Sequence, residues 1–336
     1  MLGTAVGDAL GLPLEGLSAQ RAARYYPGPL RHRMAFGRGW LSDDTEHTCL
    51  VGQALLASGG DPARFARSLG WRLRGWLLGC PAGIGWATLR ALLKLTLGVP
   101  PRWSGVRSAG NGPAMRAPLL GVYLGDTPAL RALLEVATRI THTDPKAYEG
   151  ALAVALAADG AARGEAPDAL LGRLDAELEG DELRRSLESI AAHLARGAEP
   201  PAFAEALGQA RGISGYVNHT VPAVLYCYLR SPEDFAQSLE AVIRLGGDAD
   251  TTGAILGGIA GARAGAAGIP EPWVAGVRDY PRSVPWLREL ARRLAAQQAG
   301  EDARPLGLFW PAIPLRNALF ATVVLVHGFR RLLPPY

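Results

Sequence analysis

The chain has 336 residues, of which 49% are hydrophobic and 20% charged, and its formal net charge is +4. This balance provides apolar surface for a sizeable core and excludes a disordered chain. The positive charge comes from arginines scattered along the chain, so we expect no nucleic-acid partner. The three cysteines are far apart, which excludes a disulfide framework and is typical of a protein of the reducing cytoplasm.

The sequence predicts neither a signal peptide nor a membrane span. The first residues, MLGTAVGDALGLPLEG, carry Asp8 and Glu15 where a signal peptide would be apolar. The most hydrophobic run, residues 318–326, is much shorter than the roughly 20 residues that a spanning helix needs. We expect that run to be a buried helix or strand, and we expect no membrane partner.

Apolar residues recur with helical spacing along most of the chain. The amphipathic segments, in chain order, are 51–58, 129–139, 150–163, 170–178, 183–194 and 287–294. Pro222 is expected in the first turn of a further helix, where its missing N–H is not needed. Residues 98–117, rich in Gly, Pro and Ser, are expected to form a loop that serves a site. Alternating β patterns are nearly absent, so we predict one all-α domain across residues 1–336.

A first acidic pair stands at the start of a predicted helix in the stretch SDDTEHT. Ser42 is the expected N-cap, and Asp43 and Asp44 fall in the first turn. A Ser cap stabilises a helix by about 1 kcal/mol, and acids at a helix N-terminus add about 0.3–1 kcal/mol. Capping needs only one acid, however, and a hydroxyl with two carboxylates is also a ligand set that Mg²⁺ prefers. Both interpretations remain open from these residues alone.

A second acidic pair opens the stretch GGDADTTGAILGGIAGARAG at residues 246–265. Asp248, Asp250 and the hydroxyl of Thr251 repeat the chemistry of the first cluster, and we place the two aspartates just before the first helical turn. Two carboxylates this close repel each other unless a cation lies between them. The helix that follows is rich in Gly, which costs about 1 kcal/mol per residue relative to Ala. We therefore expect it to be a central helix that packs unusually closely against another.

Six motifs occur in an order that resembles the ADP-ribosylglycohydrolase family, which includes the enzyme that reactivates dinitrogenase reductase. They are GTAVGDALGLPLEG, SDDTEHT, SAGNGPAMRAPLLG, THTDPKAYEGAL, GYVNHTVPAVLY and GGDADTTGAILGGIAGA. The resemblance spans residues 3–265, and residues 266–336 are expected to be a C-terminal extension packed on the same domain. It implies an all-α fold with a central centre of two divalent cations, Mg²⁺ or Mn²⁺.

The resemblance also assigns residues to that centre. The implied metal ligands are Ser42, Asp43, Asp44, Asp248, Asp250 and Thr251. Asp43 and Asp44 are also implied in catalysis, together with Glu15 as a ligand or acid/base. Asp8, in the same motif as Glu15, is expected to be a structural carboxylate.

The stretch SAGNGPAMR at residues 108–116 resembles the family's loop around the distal ribose and phosphates. Glycines in such a loop let backbone N–H groups approach phosphate oxygens. The residues expected to contact the substrate are Ser108, Gly110, Asn111, Gly112 and His142, with Arg116 as a source of positive charge. Without the neighbouring motifs, a plain turn and a capping histidine would explain the same residues.

The implied function is a metal-dependent hydrolase that cleaves ADP-ribose from a modified protein or a small-molecule acceptor, acting as a monomer. A metal-dependent phosphohydrolase would use the same ligands, and a non-catalytic ADP-ribose-binding module would keep the glycine loop. An α-helical isoprenoid synthase would need an acid at position 47, which is His47.

Overall fold

The computed structural model describes residues 1–333, and these form eighteen α-helices with one pair of two-residue strands. The helices are α1 Leu2–Gly11, α2 Ala19–Tyr25, α3 Asp43–Ser58, α4 Pro62–Leu78, α5 Trp86–Thr96, α6 Pro101–Ser104, α7 Ala117–Leu124, α8 Pro128–Arg139, α9 Pro145–Ala162, α10 Pro167–Glu177, α11 Asp181–Ala195, α12 Pro200–Ala206, α13 Val217–Arg230, α14 Phe235–Arg244, α15 Ala249–Ala264, α16 Glu271–Gly276, α17 Val284–Gln298 and α18 Ala312–Arg330. The strands are β1 Leu17–Ser18 and β2 Gly246–Gly247. The prediction of a single all-α domain is confirmed.

The centre of the fold is a contact between the backbones of α1 and α15. A Cβ added to Gly3 would overlap the carbonyl oxygen of Gly257, and one added to Gly7 would overlap that of Gly253. One helical turn further along α1, a Cβ on Gly11 would overlap the carbonyl oxygen at the start of α15. Only glycine permits this approach, which explains why a helix interior tolerates so many glycines. The predicted close packing of the Gly-rich helix is confirmed.

Other helices enclose this central pair. Helices α9, α13 and α14 pack on α15, and α7 packs on α9. Helix α9 is almost entirely buried and alanine-rich, so its neighbours can approach it closely. Helix α3 lies between α4, α17 and the central pair, so its N-terminus comes close to that of α15.

The amphipathic segments fold as predicted, with one correction at a helix start. The apolar stripes of α10, α11 and α17 are buried against the core. Helix α13, however, begins at Val217, so Pro222 lies inside the helix and not in its first turn. The proline N would face the carbonyl of Asn218, so only a single hydrogen bond near the helix start is lost. That small loss explains why the helix continues through it.

The two short strands join the ends of the two motifs that carry Glu15 and Asp248. Strands β1 and β2 pair antiparallel, with Leu17 opposite Gly247, and Gly16 N–H donates to the Gly247 carbonyl at 2.7 Å. Gly247 has a φ of +77°, which a side chain rarely adopts. This pairing fixes Glu15 beside the start of α15.

The hydrophobic run at residues 318–326 departs from its prediction. It is helical, but it is part of the longer α18, whose outer side is exposed at Leu319, Leu325 and Val326. The expectation of a buried element is therefore wrong, because apolar composition alone does not report what a helix packs against. Among the described residues, α18 is the one helix whose length and composition would suffice to cross a membrane.

The contact between α1 and α15 makes a direct stability prediction. We expect Gly7→Ala to lower the free energy of unfolding by about 1–3 kcal/mol, because the new methyl group overlaps backbone that cannot move alone. Gly172→Ala is the control, since Gly172 lies in α10 with open space around it and should gain up to about 1 kcal/mol. Urea unfolding of the three proteins measures both changes. Equal stability of Gly7→Ala and wild type would contradict the backbone contact.

Candidate active site

The first acidic cluster lies at the N-terminus of α3, where a distant carboxylate holds it. Ser42 caps the helix by accepting from Asp44 N–H at 3.2 Å, and its hydroxyl donates to Asp44 Oδ2 at 3.0 Å. Asp8 of α1 accepts from the backbone N–H groups of Ser42 and Thr45 and from the Thr45 hydroxyl. Asp8 therefore fixes the start of α3 against α1, as expected for a structural carboxylate.

The second acidic cluster lies at the N-terminus of α15. Asp248 is the N-cap residue, whereas Asp250 falls within the first turn, so placing Asp250 before the helix was wrong. The Thr251 hydroxyl donates to Asp44 Oδ2 at 3.2 Å, which joins the two clusters directly. The N-termini of α3 and α15 thus meet, and the positive ends of both helix dipoles face the carboxylates.

Burial makes these carboxylates resist ionisation. Desolvation, followed by the charges of the neighbouring carboxylates, raises the pKa of Asp43, Asp44 and Asp250 well above the usual value. Desolvation and the charge of Asp248 also raise the pKa of Glu15. Burial raises the pKa of Asp8 to about 7, although its hydrogen bonds oppose the shift. A cation bound among these carboxylates would offset both their burial and their mutual repulsion.

The donor set fits a hard divalent cation. Within residues 1–333, the Oδ1 atoms of Asp44 and Asp250 are buried without a hydrogen-bond partner. Ser42 and Thr251 add hydroxyl oxygens, and an all-oxygen set is what Mg²⁺ and Mn²⁺ bind. No group of three His, Cys, Asp or Glu side chains in the described part of the chain is already arranged as a metal-ligand set. The fit therefore rests on the chemistry of the oxygens and their missing partners.

The glycine loop packs on His142. A Cβ on Gly110 would lie 3.1 Å from His142 Nε2, and one on Gly112 would lie 3.0 Å from His142 Cε1. Burial, with the nearby charge of Arg116, lowers the pKa of His142 to about 3, so the ring is neutral. Two N–H donors of the loop already make hydrogen bonds within the protein. Asn111 Nδ2 donates to Asp248 Oδ2 at 2.6 Å, and Gly110 N–H donates to Ser108 Oγ. Asn111 thus connects the loop to the second acidic cluster.

Arg116 does not face the cleft, contrary to the expectation that it supplies charge there. It is fully buried behind the loop, where Nε donates to the Gly112 carbonyl at 3.1 Å and Nη2 to Thr141 Oγ1 at 2.6 Å. Burial lowers the pKa of Arg116 to about 10, and the charge of Asp43 opposes this shift. Arg116 therefore remains charged near pH 7 and supports the loop from beneath.

A single cleft of about 510 Å³ joins these parts. Its lining includes the predicted Glu15, Ser42, Asp43, Ser108, Gly110, Asn111, Gly112, His142, Asp248, Asp250 and Thr251, while Asp44 lies just beneath this lining. Sequence reasoning missed the exposed Trp86, Arg90 and Arg107, and it missed Phe320 and Val324 of α18. A tryptophan in the glycine-rich stretch GIGW was a sequence signal at Trp86, whereas nothing local marks the two α18 residues.

Comparisons with known proteins assign the chain to a family. A sequence model described as ADP-ribosylglycohydrolase matches residues 1–304. The chain belongs to the ADP-ribosylglycohydrolase family. The family supports a hydrolase that removes ADP-ribose. Helix α18 lies beyond the matched residues.

Individual relatives match different shares of the chain. The chain is 30% identical to ADP-ribosyl-[dinitrogen reductase] glycohydrolase of Rhodospirillum rubrum, over 86% of this chain and 94% of that protein. It is 28% identical to human ADP-ribosylhydrolase ARH3, over 53% of this chain and 56% of that protein. A solved structure, an ADP-ribosylglycohydrolase-related protein complex, superimposes with a TM-score of 0.65 at 28% identity, covering 90% of this chain and 95% of that one.

The raised pKa values predict how stability depends on pH without divalent cations. The folded protein binds the carboxyl protons more tightly than the unfolded chain does. In the unfolded chain, aspartates have a pKa of about 3.9. Stability is therefore fully present below that value and falls as the pH rises through the folded pKa, which is about 7 for Asp8. One such group lowers the free energy of unfolding by about 2–3 kcal/mol between pH 5 and 7.

Urea unfolding in EDTA across this pH range measures how steeply the free energy of unfolding falls with pH. We expect Asp250→Asn to reduce the slope and to stabilise the metal-free protein at pH 7.5, because it removes one of the repelling charges. A stability that does not change with pH would contradict the account of an uncompensated cluster.

Proposed function

We propose that the protein is a metal-dependent hydrolase that cleaves the glycosidic bond at the anomeric carbon of an ADP-ribosylated acceptor. The observation that carries the proposal is that the acidic cluster and the glycine loop line the same cleft, with Asn111 joining them. The name of the Rhodospirillum rubrum relative includes an ADP-ribosylated protein substrate, which favours a modified protein as the acceptor here.

Two divalent cations, Mg²⁺ or Mn²⁺, would be held at the junction of the two helix N-termini. The proposed ligands are Ser42, Asp43, Asp44, Asp248, Asp250 and Thr251. When bound, such cations would supply positive charge to the carboxylates and Lewis acidity toward ribose hydroxyls and water.

Glu15 is the proposed acid/base at the edge of this cluster. Its raised pKa lets the carboxyl hold a proton closer to neutral pH than an exposed glutamate does. It can then donate that proton to the leaving acceptor or accept one from the attacking water. The transition state has oxocarbenium character, which the surrounding carboxylates stabilise by their negative charge.

The distal part of ADP-ribose would occupy the glycine-loop end of the cleft. The Ser108 hydroxyl and the neutral His142 ring offer hydrogen bonds, and the exposed Arg107 at the rim offers the positive charge that Arg116 cannot. Binding of the phosphates far from the scissile bond holds the ribose in reacting geometry. The cleft is thus divided into an acidic reacting end and a binding end.

Two adjacent threonines provide a matched test of metal binding. The Thr251 hydroxyl donates to the Asp44 carboxylate in the cluster, whereas the Thr252 hydroxyl donates only to the backbone carbonyls of Asp248 and Ala249 at the start of α15. We expect Thr251→Val to weaken Mg²⁺ binding and lower kcat by about tenfold or more, and Thr252→Val to leave both near wild type. Calorimetric Mg²⁺ titration and hydrolysis of a panel of Arg-, Ser- and nucleobase-linked ADP-ribosyl substrates measure these effects.

Chelation and the variant Asp250→Ala complete the test of metal binding. EDTA should abolish hydrolysis and Mg²⁺ or Mn²⁺ should restore it, while Asp250→Ala should lower the rate by about 10³, which is roughly 4 kcal/mol of transition-state stabilisation. Full activity of metal-free protein would refute the metal-dependent mechanism, and ADP-ribose binding without any hydrolysis would indicate a binding module.

A second pair of variants tests the binding end of the cleft. A methyl group on Gly110 would press on His142 Nε2, whereas one on Gly85, in the same cleft, meets open space. We expect Gly110→Ala to raise the dissociation constant of free ADP-ribose about tenfold, a cost of about 1.4 kcal/mol, and Gly85→Ala to leave it unchanged. Both variants should keep the Mg²⁺-induced rise in Tm. Unchanged ADP-ribose affinity in Gly110→Ala would mean that the loop is only a connection.

A further inference from the structure

The outer side of α18 is an exposed apolar surface. The residues Leu315, Leu319, Val326 and Phe329 recur at helical spacing, and each is 53–76% exposed. No charged side chain interrupts this row between Leu315 and Phe329. An apolar surface of this kind marks a binding surface for a protein or a membrane.

The segments around this surface carry positive charge and no carboxylate. Residues 16–42 contain no Asp or Glu, and neither do residues 303–336. The arginines in the first of these segments are Arg21, Arg24, Arg31, Arg33 and Arg38, and Arg330 and Arg331 end α18. A surface that borders both segments is therefore strongly basic.

The structure packs the two segments together. The Tyr25 hydroxyl donates a hydrogen bond to the Arg331 carbonyl at 3.0 Å, and the Tyr26 hydroxyl lies 3.0 Å from His327 Nε2. The Trp40 ring stacks on the Phe320 ring. Beside the first segment is a cavity of about 590 Å³, whose lining includes Tyr25, Tyr26, Arg31, Arg33 and Trp273, and the second segment contributes Arg330 to it. We call this cavity and the exposed row on α18 the docking face.

We propose that the docking face binds the surface of an anionic phospholipid bilayer. The apolar row of α18 would lie among the acyl chains just below the headgroups, and the basic cavity would receive a headgroup phosphate. Amphipathic helices bind in this way by burying their apolar side, and basic residues add attraction to anionic lipids. This inference replaces the expectation of no membrane partner and does not depend on the proposed catalytic function.

Helix α18 lies on the protein and does not span the bilayer. Near its N-terminus, the buried Arg316 pairs with Asp279, and the Asn317 amide donates to the Gly79 carbonyl at 2.7 Å. On the same inner side, Phe320 and Val324 line the catalytic cleft. The helix therefore cannot leave the domain without opening the cleft and exposing a buried ion pair, which is costly.

The charges favour a lipid surface over a second copy of this chain. A dimer formed through the docking face would bring two sets of the same arginines together, and such like-charge contact opposes binding. Two carboxylates, Glu271 and Asp279, border the groove beside Phe36 and Leu319, and Asp279 is already paired with the buried Arg316. An anionic bilayer satisfies the apolar row and the arginines at once.

Vesicle flotation of the full chain tests the proposal. We expect the protein to float with vesicles of phosphatidylcholine containing about 30% phosphatidylglycerol, and to bind pure phosphatidylcholine at least about tenfold more weakly. Leu319→Glu/Val326→Glu should reduce flotation at least tenfold, whereas Leu97→Glu, at an exposed leucine that follows α5, should not. Arg31→Glu/Arg38→Glu should remove the preference for anionic vesicles, and Arg67→Glu/Arg185→Glu should retain it.

Three results would overturn the proposal. The first is the absence of flotation with anionic vesicles. The second is a dimer without lipid that Leu319→Glu/Val326→Glu dissociates, which would assign the face to a second copy. The third is binding of soluble glycerol phosphate by the basic cavity without flotation, which would indicate a soluble phosphate ligand. The circular dichroism spectrum and the Tm of each variant, both expected at wild-type level, show that the fold is intact.

Discussion

The approach of α1 to α15 is the constraint on which the rest of the structure depends. Backbone meets backbone at Gly3 and Gly7 of α1, so the two helices have one distance and one register available to them. Asp8, on the same turns of α1, then reaches the start of α3, and β1 brings Glu15 to the start of α15. The acidic groups of three separate motifs converge because small residues let two helices touch.

This convergence has a cost that the rest of the fold must offset. Buried carboxylates with raised pKa values oppose folding when they ionise, and Asp44 and Asp250 each leave an oxygen without a partner among the described residues. Hydrogen bonds from Thr251 and Asn111 orient the aspartates without neutralising them. Strain of this kind at one place, in a fold that is otherwise closely packed, is typical of a functional site.

Helix α18 shows that one element can serve the site and the surface together. Its inner side is fixed by Arg316 and places Phe320 in the cleft wall, beyond the residues that the family shares as a sequence pattern. Its outer side is apolar and borders a basic cavity. The cleft and the proposed docking face therefore lie on opposite sides of the same helix.

The sequence by itself determined what depends on neighbouring residues. Helical periodicity predicted α10, α11 and α17, a Ser before acids predicted the cap at Ser42, and the glycines of α15 predicted a close contact. Only the tertiary structure decided that Asp8 caps a helix 34 residues away, that Arg116 lies behind the loop, and that the apolar α18 is exposed. These outcomes depend on contacts between residues far apart in the chain, and local propensity contains no information about such contacts.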